Sequence, residues 1–129
     1  MEGIGVKIET LMQEYGFGQF ELTFPVVEGI EIADMVADFK TASFVHLKRK
    51  GLTAEFMTCV RPDKGNCSGF HYNFSLWDSQ GRNVFADPDD CGKLSELGRH
   101  WLAGMVEHAP AMAALVCPTI NCYRSMDYV

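Results

Sequence analysis

The chain has 129 residues, of which 47% are hydrophobic and 22% charged, with 17 acidic against 11 basic side chains. This length predicts one domain at most, and the composition is that of an ordinary globular protein. The formal net charge of −6 disfavours nucleic-acid binding, because no basic surplus is present to displace counterions from phosphates. No apolar run approaches the ~18 residues of a membrane span, and the N-terminus lacks the segments of a signal peptide.

The cysteines give a prediction about redox state and location. They are odd in number, scattered, and include no C-x-x-C pair: Cys59, Cys67, Cys91, Cys117 and Cys122. Such usage predicts reduced thiols in a cytoplasmic protein, and it disfavours a zinc site.

The N-terminal part of the chain predicts a short helix followed by a strand. Apolar side chains recur at helical spacing through residues 1–15, although two early glycines weaken the pattern. Residues 16–18 interrupt this segment, and alternation of apolar and polar side chains over residues 19–27 predicts a strand. Glu21 then lies on the polar face of the strand, and Glu14 precedes it on the far side of the glycines.

These two glutamates are candidates for a metal site. If Glu14 and Glu21 face one space together with His71 of a later strand, they would suit a divalent cation. Oxygen ligands favour Mg²⁺ or Mn²⁺. The alternative is that both glutamates are solvated surface charges, and the residue pattern by itself leaves both interpretations open.

Residues 29–50 predict the first long helix. An apolar stripe follows helical spacing at Ile32, Met35, Val36 and Phe39. The three basic residues at 48–50 lie in the predicted last turn, where cations complement the helix dipole, and Gly51 supplies a stop. Residues 52–60 then predict a second strand.

Residues 66–77 alternate strictly and predict a strand with one face on a core. The opposite face carries an imidazole, an amide and a hydroxyl, from His71, Asn73 and Ser75. A solvent-facing strand usually carries Lys, Glu and Thr instead, so this face is a candidate wall of a functional site. The alternative is a plain amphipathic strand with a partly buried histidine.

The C-terminal half predicts a turn, a short strand and a second long helix. Residues 79–82 predict a hairpin-like turn into a strand at 83–86, and a turn-rich loop follows at 87–92. One apolar face persists over residues 93–116, which predicts a helix that Pro110 should kink or divide. Mixed strands and helices without regular βαβ alternation predict an α+β fold.

Three stretches, in the same order and at plausible spacing, resemble motifs of the glutamine synthetase family. Glu14 together with residues 18–21 is similar to E-x-(A/G)-P-G-Q-x-E, residues 68–77 resemble G-S-G-M-H-x-H-x-S-L-W, and residues 118–124 resemble N-P-T-x-N-S-Y-K-R. The resemblance implies part of the family's catalytic half-barrel, an antiparallel sheet flanked by two long helices. Residues 1–129 would then be a partial catalytic domain, truncated at both ends.

The resemblance also implies metal and nucleotide ligands. Glu14 and Glu21 match the residues that bind one catalytic Mg²⁺ or Mn²⁺, and His71 matches a ligand of the other. Ser75 matches a residue that contacts ATP, and Asn73, which replaces the family's second histidine, lies beside it. Paired metals suit phosphoryl transfer because they bridge phosphate oxygens and offset their charge.

The implied substrates are glutamate, ammonia and ATP. In the family, ATP phosphorylates the glutamate side chain, and ammonia then attacks the acyl phosphate. Asn66 best matches the residue that approaches glutamate, and Cys67 stands beside it in place of a glycine. The active site of the family lies between neighbouring subunits of a ring, so a homo-oligomer, or association with a longer family member, is implied.

Ser125 departs most from the family pattern, since it stands where an arginine engages the substrate and the transition state. A hydroxyl removes a fixed cation and a bidentate donor, and losing one such contact typically costs ~10²–10³ in rate. The chain alone is therefore predicted to lack measurable ligase activity. Two interpretations remain open, namely a glutamine synthetase-like catalytic portion and a catalytically inactive, lengsin-like structural or assembly protein.

Overall fold

The computed structural model describes residues 4–61, 67–90 and 92–125. They fall into two compact units: the first comprises the described residues up to Ser68 together with residues 124–125, and the second comprises those from Gly69 to Tyr123. The first unit contains strands β1 (Thr10–Gln13) and β2 (Phe20–Thr23) and helix α1 (Glu31–Arg49). The second unit contains helices α2 (Glu96–Val116) and α3 (Ile120–Tyr123). An antiparallel sheet and two long helices confirm the α+β fold class.

β1 and β2 form an antiparallel hairpin, so the helix predicted for residues 1–15 is wrong. Thr10 pairs with Thr23 and Met12 with Glu21. The hydroxyls of Thr10 and Thr23 are 2.7 Å apart and hydrogen-bond across the strands. A β-branched residue opposite another favours a strand pair, and the early glycines weaken the competing helix.

An aromatic cluster forms the centre of the first unit. Phe39 of α1 is 8% exposed and meets Phe24, which follows β2, with ring centroids 5.6 Å apart. Phe56 lies 5.9 Å from Phe39 and 5.3 Å from Phe44, both in edge-on geometry. These contacts pack the hairpin and the segment after α1 against one face of the helix.

The end of α1 confirms the predicted stop. Gly51 has φ +73°, a left-handed conformation that glycine adopts at little cost. The backbone N–H of Leu52 donates to the carbonyl of Leu47 at 2.9 Å, which closes the last turn. The strand predicted for residues 52–60 is wrong, since in the described part of the chain this segment forms no ladder.

Cys59 and Cys67 form a disulfide, with Cα atoms 4.5 Å apart. The prediction of reduced thiols is therefore wrong for this pair, and the cysteine argument for a cytoplasmic location no longer holds. Cys117 and Cys122 take no part in a disulfide. Cys91 lies outside the described residues.

The strand predicted for residues 66–77 is also wrong, because described residues 67–76 form no ladder. Phe70 has φ +49°, a conformation that breaks the period-two alternation. Beyond it, the rings of Tyr72 and Phe74 stack with centroids 5.9 Å apart, and Phe74 also contacts Trp101 of α2 at 5.8 Å. Tyr72 and Phe74 thus pack in an aromatic cluster, but they are 60% and 39% exposed, so the predicted apolar face lies neither in a sheet nor on a buried core.

Two isolated bridges stand where a strand was predicted at residues 83–86. Asn83 pairs with Trp77 around the predicted turn, and Ala86 pairs with Leu94. Asp78 holds the turn, because its carboxylate accepts from the backbone N–H of Arg82 at 3.0 Å and from its Nε at 2.8 Å. The turn prediction is confirmed, and the strand is reduced to single pairs.

Ser95 and Gly98 hold the start of α2 close to the backbone of residues 84–85. The Ser95 hydroxyl accepts from the N–H of Gly98 at 3.0 Å and donates to the carbonyl of Val84 at 2.6 Å. A Cβ on Gly98 would lie 2.8 Å from the carbonyl oxygen of Phe85, so only glycine permits this approach. The helix continues through Pro110, so of the two predicted effects, a kink or a division, the division is wrong. Among the described residues, no helix has the length and apolar character needed to cross a membrane.

Candidate functional site

The β1–β2 hairpin places two carboxylates on one face. Glu21 lies opposite Met12, and Glu14 follows two residues beyond Met12. Residues two apart on a strand point to the same side, so Glu14 and Glu21 are diagonal neighbours across the pair.

Hydrogen bonds lower the pKa of the Glu14 carboxyl. Its carboxylate accepts a hydrogen bond from the backbone N–H of Tyr15 at 2.7 Å, and this bond is the largest cause that lowers the pKa of Glu14. The hydrogen bond with Glu21 lowers the pKa further, because it stabilises the charged form. The pKa of the Glu14 carboxyl is thus held below its usual range. Two adjoining carboxylates offer oxygen donors only, a set that fits Mg²⁺ or Mn²⁺.

The loop between the two glutamates is closed by Gln19. The N–H of Glu14 donates to the Gln19 carbonyl at 3.0 Å, and the N–H of Gln19 donates to the Gly16 carbonyl at 3.0 Å. The Gln19 side chain accepts from the N–H of Gly16 at 2.9 Å. A Cβ on Gly16 would collide with the Gln19 carboxamide, and Gly18 has φ +70°. The glycines therefore allow the turn that brings Glu14 beside Glu21.

Two aromatic residues project from the tip of this loop. Tyr15 and Phe17 are 93% and 110% exposed. Phe17 stands where the family motif has proline, and the loop closes on Gln19 nonetheless. The departure from the motif therefore leaves the approach of the two glutamates intact.

His71 belongs to the second unit, and its side chain is exposed. A Cβ on Gly69 would lie 2.7 Å from the Nε2 atom of His71. The imidazole therefore occupies space that is free only because residue 69 is glycine. Within residues 4–61, 67–90 and 92–125, no three His, Cys, Asp or Glu side chains form a group that could hold a metal ion. The combination of Glu14, Glu21 and His71 therefore stays a prediction.

The nucleotide residues predicted from the sequence are exposed in the second unit. Ser75 accepts a hydrogen bond from the indole nitrogen of Trp77 at 2.8 Å, which fixes its hydroxyl. Asn73 lies on the same extended segment and is exposed. Their roles toward ATP stay predictions.

Of the two substrate residues predicted from the sequence, Cys67 is described and lies in the first unit. Cys67 is half-buried and its sulfur is bonded to Cys59, so in this state it has no thiol to offer a substrate. Asn66 lies outside the described residues. Ser125 is described and half-buried, and it offers no guanidinium.

Among the described residues, no predicted site residue lines either of two shallow grooves. The larger has a volume of about 430 Å³ and runs along α1, between Asp38 and Arg49. The smaller, of about 240 Å³, lies beside Phe85 and Lys93. The candidate site is therefore a carboxylate pair on the hairpin, in which Glu14 is half-buried and Glu21 is exposed.

The comparison with known families gives the class of this α+β domain. The family model for the glutamine synthetase catalytic domain matches residues 1–127. The chain belongs to the glutamine synthetase family. No solved structure matches it.

Known relatives include enzymes named for different products and amines. The chain is 36% identical over 127 residues to a glutamine synthetase of Halobacterium salinarum, covering 98% of this chain and 28% of the relative. It is 33% identical to a glutamate–methylamine ligase of Methyloversatilis universalis, covering 98% and 28%. It is 36% identical to a glutamate–isopropylamine ligase of a Pseudomonas species, covering 96% and 27%. The chain thus spans about a quarter of the length of these relatives.

Proposed function

We propose that this chain contributes a metal-binding wall to the active site of an ATP-dependent glutamate–amine ligase. The observation that carries the proposal is the register of the hairpin, which sets Glu14 and Glu21 on one face as diagonal neighbours. Family membership supports it, because both residues match the motif whose glutamates bind a catalytic metal.

Each residue of the site has a proposed task. Glu14 and Glu21 would hold one Mg²⁺ or Mn²⁺ through their carboxylate oxygens. His71 binds the second cation, and Gly69 leaves room for its imidazole. When bound, the cations neutralise the phosphate oxygens of ATP during transfer of the terminal phosphoryl group. The Ser75 hydroxyl, oriented by its bond to Trp77, contacts the nucleotide with Asn73 beside it.

Glutamate is the proposed acid substrate, and the amine is the variable partner. Two of the relatives are named as glutamate ligases, one for methylamine and one for isopropylamine. Ammonia is the amine of the family reaction. Asn66 and Cys67 are the proposed contacts to glutamate, with Cys67 contributing backbone groups while its sulfur is in the disulfide.

Mn²⁺ binding tests the carboxylate pair directly. Calorimetric or EPR titration of the chain with MnCl₂ should show a site that is weakened in Glu21→Gln and in Glu14→Gln. Glu28→Gln is the matched control, because Glu28 is exposed, lies outside the hairpin and undergoes the same loss of charge. Equal affinity in the Glu21 and Glu28 variants would overturn the proposal.

A non-catalytic, lengsin-like role is the second candidate, and Ser125 is the observation that favours it. Without the family's arginine, transition-state stabilisation falls by a typical factor of ~10²–10³. An assay of glutamate-, amine- and ATP-dependent phosphate release should detect no turnover by the chain alone. Release that appears only when a full-length family member is added, and that requires Glu21, would support a catalytic contribution through a shared oligomer.

A further inference from the structure

A covalent clamp joins two segments of the first unit. The Cys59–Cys67 disulfide is reinforced by the backbone N–H of Ser68, which donates to the carbonyl of Thr58 at 2.6 Å. Cys59 is 1% exposed, so this end of the clamp is fixed in the core, whereas Cys67 is half-buried. The position of residues 67–68 is therefore set by a buried anchor.

Gln19 connects this clamp to the carboxylate hairpin. Its Nε2 donates to the carbonyl of Cys67 and to the hydroxyl of Ser68, each at 3.4 Å. Its other carboxamide atom accepts from Gly16, and its backbone carbonyl accepts from Glu14. One half-buried side chain thus spans from the clamp to the loop that ends at Glu14.

We propose that Gln19 is a positioning residue for the Glu14–Glu21 pair, and that reducing the Cys59–Cys67 disulfide weakens metal binding by that pair. The inference rests on the proposed metal site. The two bonds from Nε2 are long, so they persist only while Cys67 and Ser68 are held in place. Reduction removes the covalent tie and leaves non-covalent contacts, such as the Ser68–Thr58 bond, to hold them.

The redox step needs a dithiol as reductant. A thiolate of the dithiol attacks Cys67 Sγ, the more accessible sulfur, and the Sγ–Sγ bond breaks as Cys59 leaves and takes a proton. The second thiol of the reagent then closes a disulfide ring and releases Cys67 as a thiol. Two electrons and two protons pass to the protein, and the dithiol becomes a disulfide.

The test compares Mn²⁺ affinity in the two redox states of the full chain. Samples are oxidised, or reduced with dithiothreitol and desalted under argon, and alkylation with mass measurement verifies the gain of two thiols. MnCl₂ titration should give a dissociation constant about 10-fold higher after reduction, the lower end of the effect of outer-shell partners on metal affinity. Circular dichroism of both samples shows whether the fold is retained.

Two variants separate positioning from general structure. Gln19→Met is nearly isosteric and neutral but cannot donate, so its Mn²⁺ affinity should no longer respond to reduction. Gly16→Ala displaces the Gln19 carboxamide and should behave in the same way, whereas Gly104→Ala, which meets nothing within 4 Å, should respond like the wild type. Cys67→Ser should bind Mn²⁺ weakly, and its affinity should not change on treatment with dithiothreitol.

The outcomes are distinct. The inference is supported if reduction raises the Mn²⁺ dissociation constant about 10-fold in the wild type and leaves it about unchanged in Gln19→Met. Equal affinity of the oxidised and reduced wild type, with binding still dependent on Glu21, overturns the inference and leaves the proposed function standing. A full response in Gln19→Met overturns the role of Gln19. Absence of Glu21-dependent binding in either redox state overturns the proposed function and this inference together.

Discussion

Replacing Ser95 by alanine should destabilise the second unit, because this hydroxyl makes two hydrogen bonds at the start of α2. It caps the helix by accepting from Gly98 at 3.0 Å, and it donates to the carbonyl of Val84 at 2.6 Å. In the alanine variant, the N–H of Gly98 and the carbonyl of Val84 both lose their hydrogen bond to the Ser95 hydroxyl. The half-buried position limits their compensation by water.

The magnitude follows from the two bonds. Loss of a serine N-cap costs about 1 kcal/mol. Loss of a second intramolecular hydrogen bond, to a carbonyl that is itself only partly exposed, costs about 1 kcal/mol more. The free energy of unfolding of the second unit should therefore fall by about 2 kcal/mol, a factor of ~30 in the folded-to-unfolded ratio.

Urea unfolding followed by tryptophan fluorescence isolates this effect. Both tryptophans of the chain, Trp77 and Trp101, lie in the second unit, so the signal reports on that unit. Ser95→Thr keeps an acceptor and a donor and should retain most of the stability. Ser79→Ala, in the exposed turn, is the matched control for loss of a serine hydroxyl.

Ser95→Ala with an unfolding free energy within about 0.5 kcal/mol of the wild type would refute this reasoning, since that is the usual scatter of surface substitutions. An equal loss in Ser79→Ala would also refute it, because the effect would then be unrelated to the cap.

Three further outcomes are expected. Gly98→Ala should destabilise the second unit in the same urea assay, because its Cβ would meet a backbone carbonyl at 2.8 Å. Gly69→Ala should move the His71 imidazole, seen as a change in its NMR chemical shifts, with little change in stability since a side-chain end can rotate away. Asp78→Asn should destabilise at neutral pH. Hydrogen bonds lower the pKa of Asp78 in the folded protein, and the bond from the backbone N–H of Arg82 is the largest cause. The ionised carboxylate therefore stabilises the fold above the ordinary carboxyl pKa. This stabilisation is lost as the pH falls through the lowered pKa of the folded state. The variant and wild type should converge in acid, and a difference that persists at low pH would contradict this account.

The two long helices could be predicted because their signals are local. The apolar stripe of α1 and its Gly51 stop lie within one stretch of sequence, and the structure places α1 at Glu31–Arg49 within the predicted 29–50. The same holds for α2, where an apolar face persists for five turns. Pro110 predicts a kink or a division, and the helix is not divided there. Proline removes one hydrogen bond, which packing and the remaining turns tolerate.

The strands could not be predicted with the same success, because a strand exists only through its partner. Residues 10–13 pair with β2 and form a strand although their apolar spacing suggested a helix. Residues 71–76 alternate as a strand should, yet in the described part of the chain they have no ladder partner. Alternation identified the shared face of Tyr72 and Phe74, but it carries no information about pairing.

The candidate site was found in part. The approach of Glu14 to Glu21 could be anticipated from the glycines between them, although the element that carries Glu14 was misassigned. Gln19 and the Cys59–Cys67 disulfide were missed as structural links. In the sequence, Gln19 is recognisable only as one position of the matched motif. The number and spacing of the cysteines favour free thiols, because neither shows which segments come close enough to form a disulfide.

The exposed aromatic tip between the two glutamates has a practical consequence. Tyr15 and Phe17 present cleavage sites for a chymotrypsin-like protease within the loop that closes on Gln19. A single nick there would leave both strands paired but would free the chain end beside Glu14. Digestion slowed by added Mn²⁺ in the wild type, and unaffected by it in Glu21→Gln, would report metal occupancy without any spectroscopic probe.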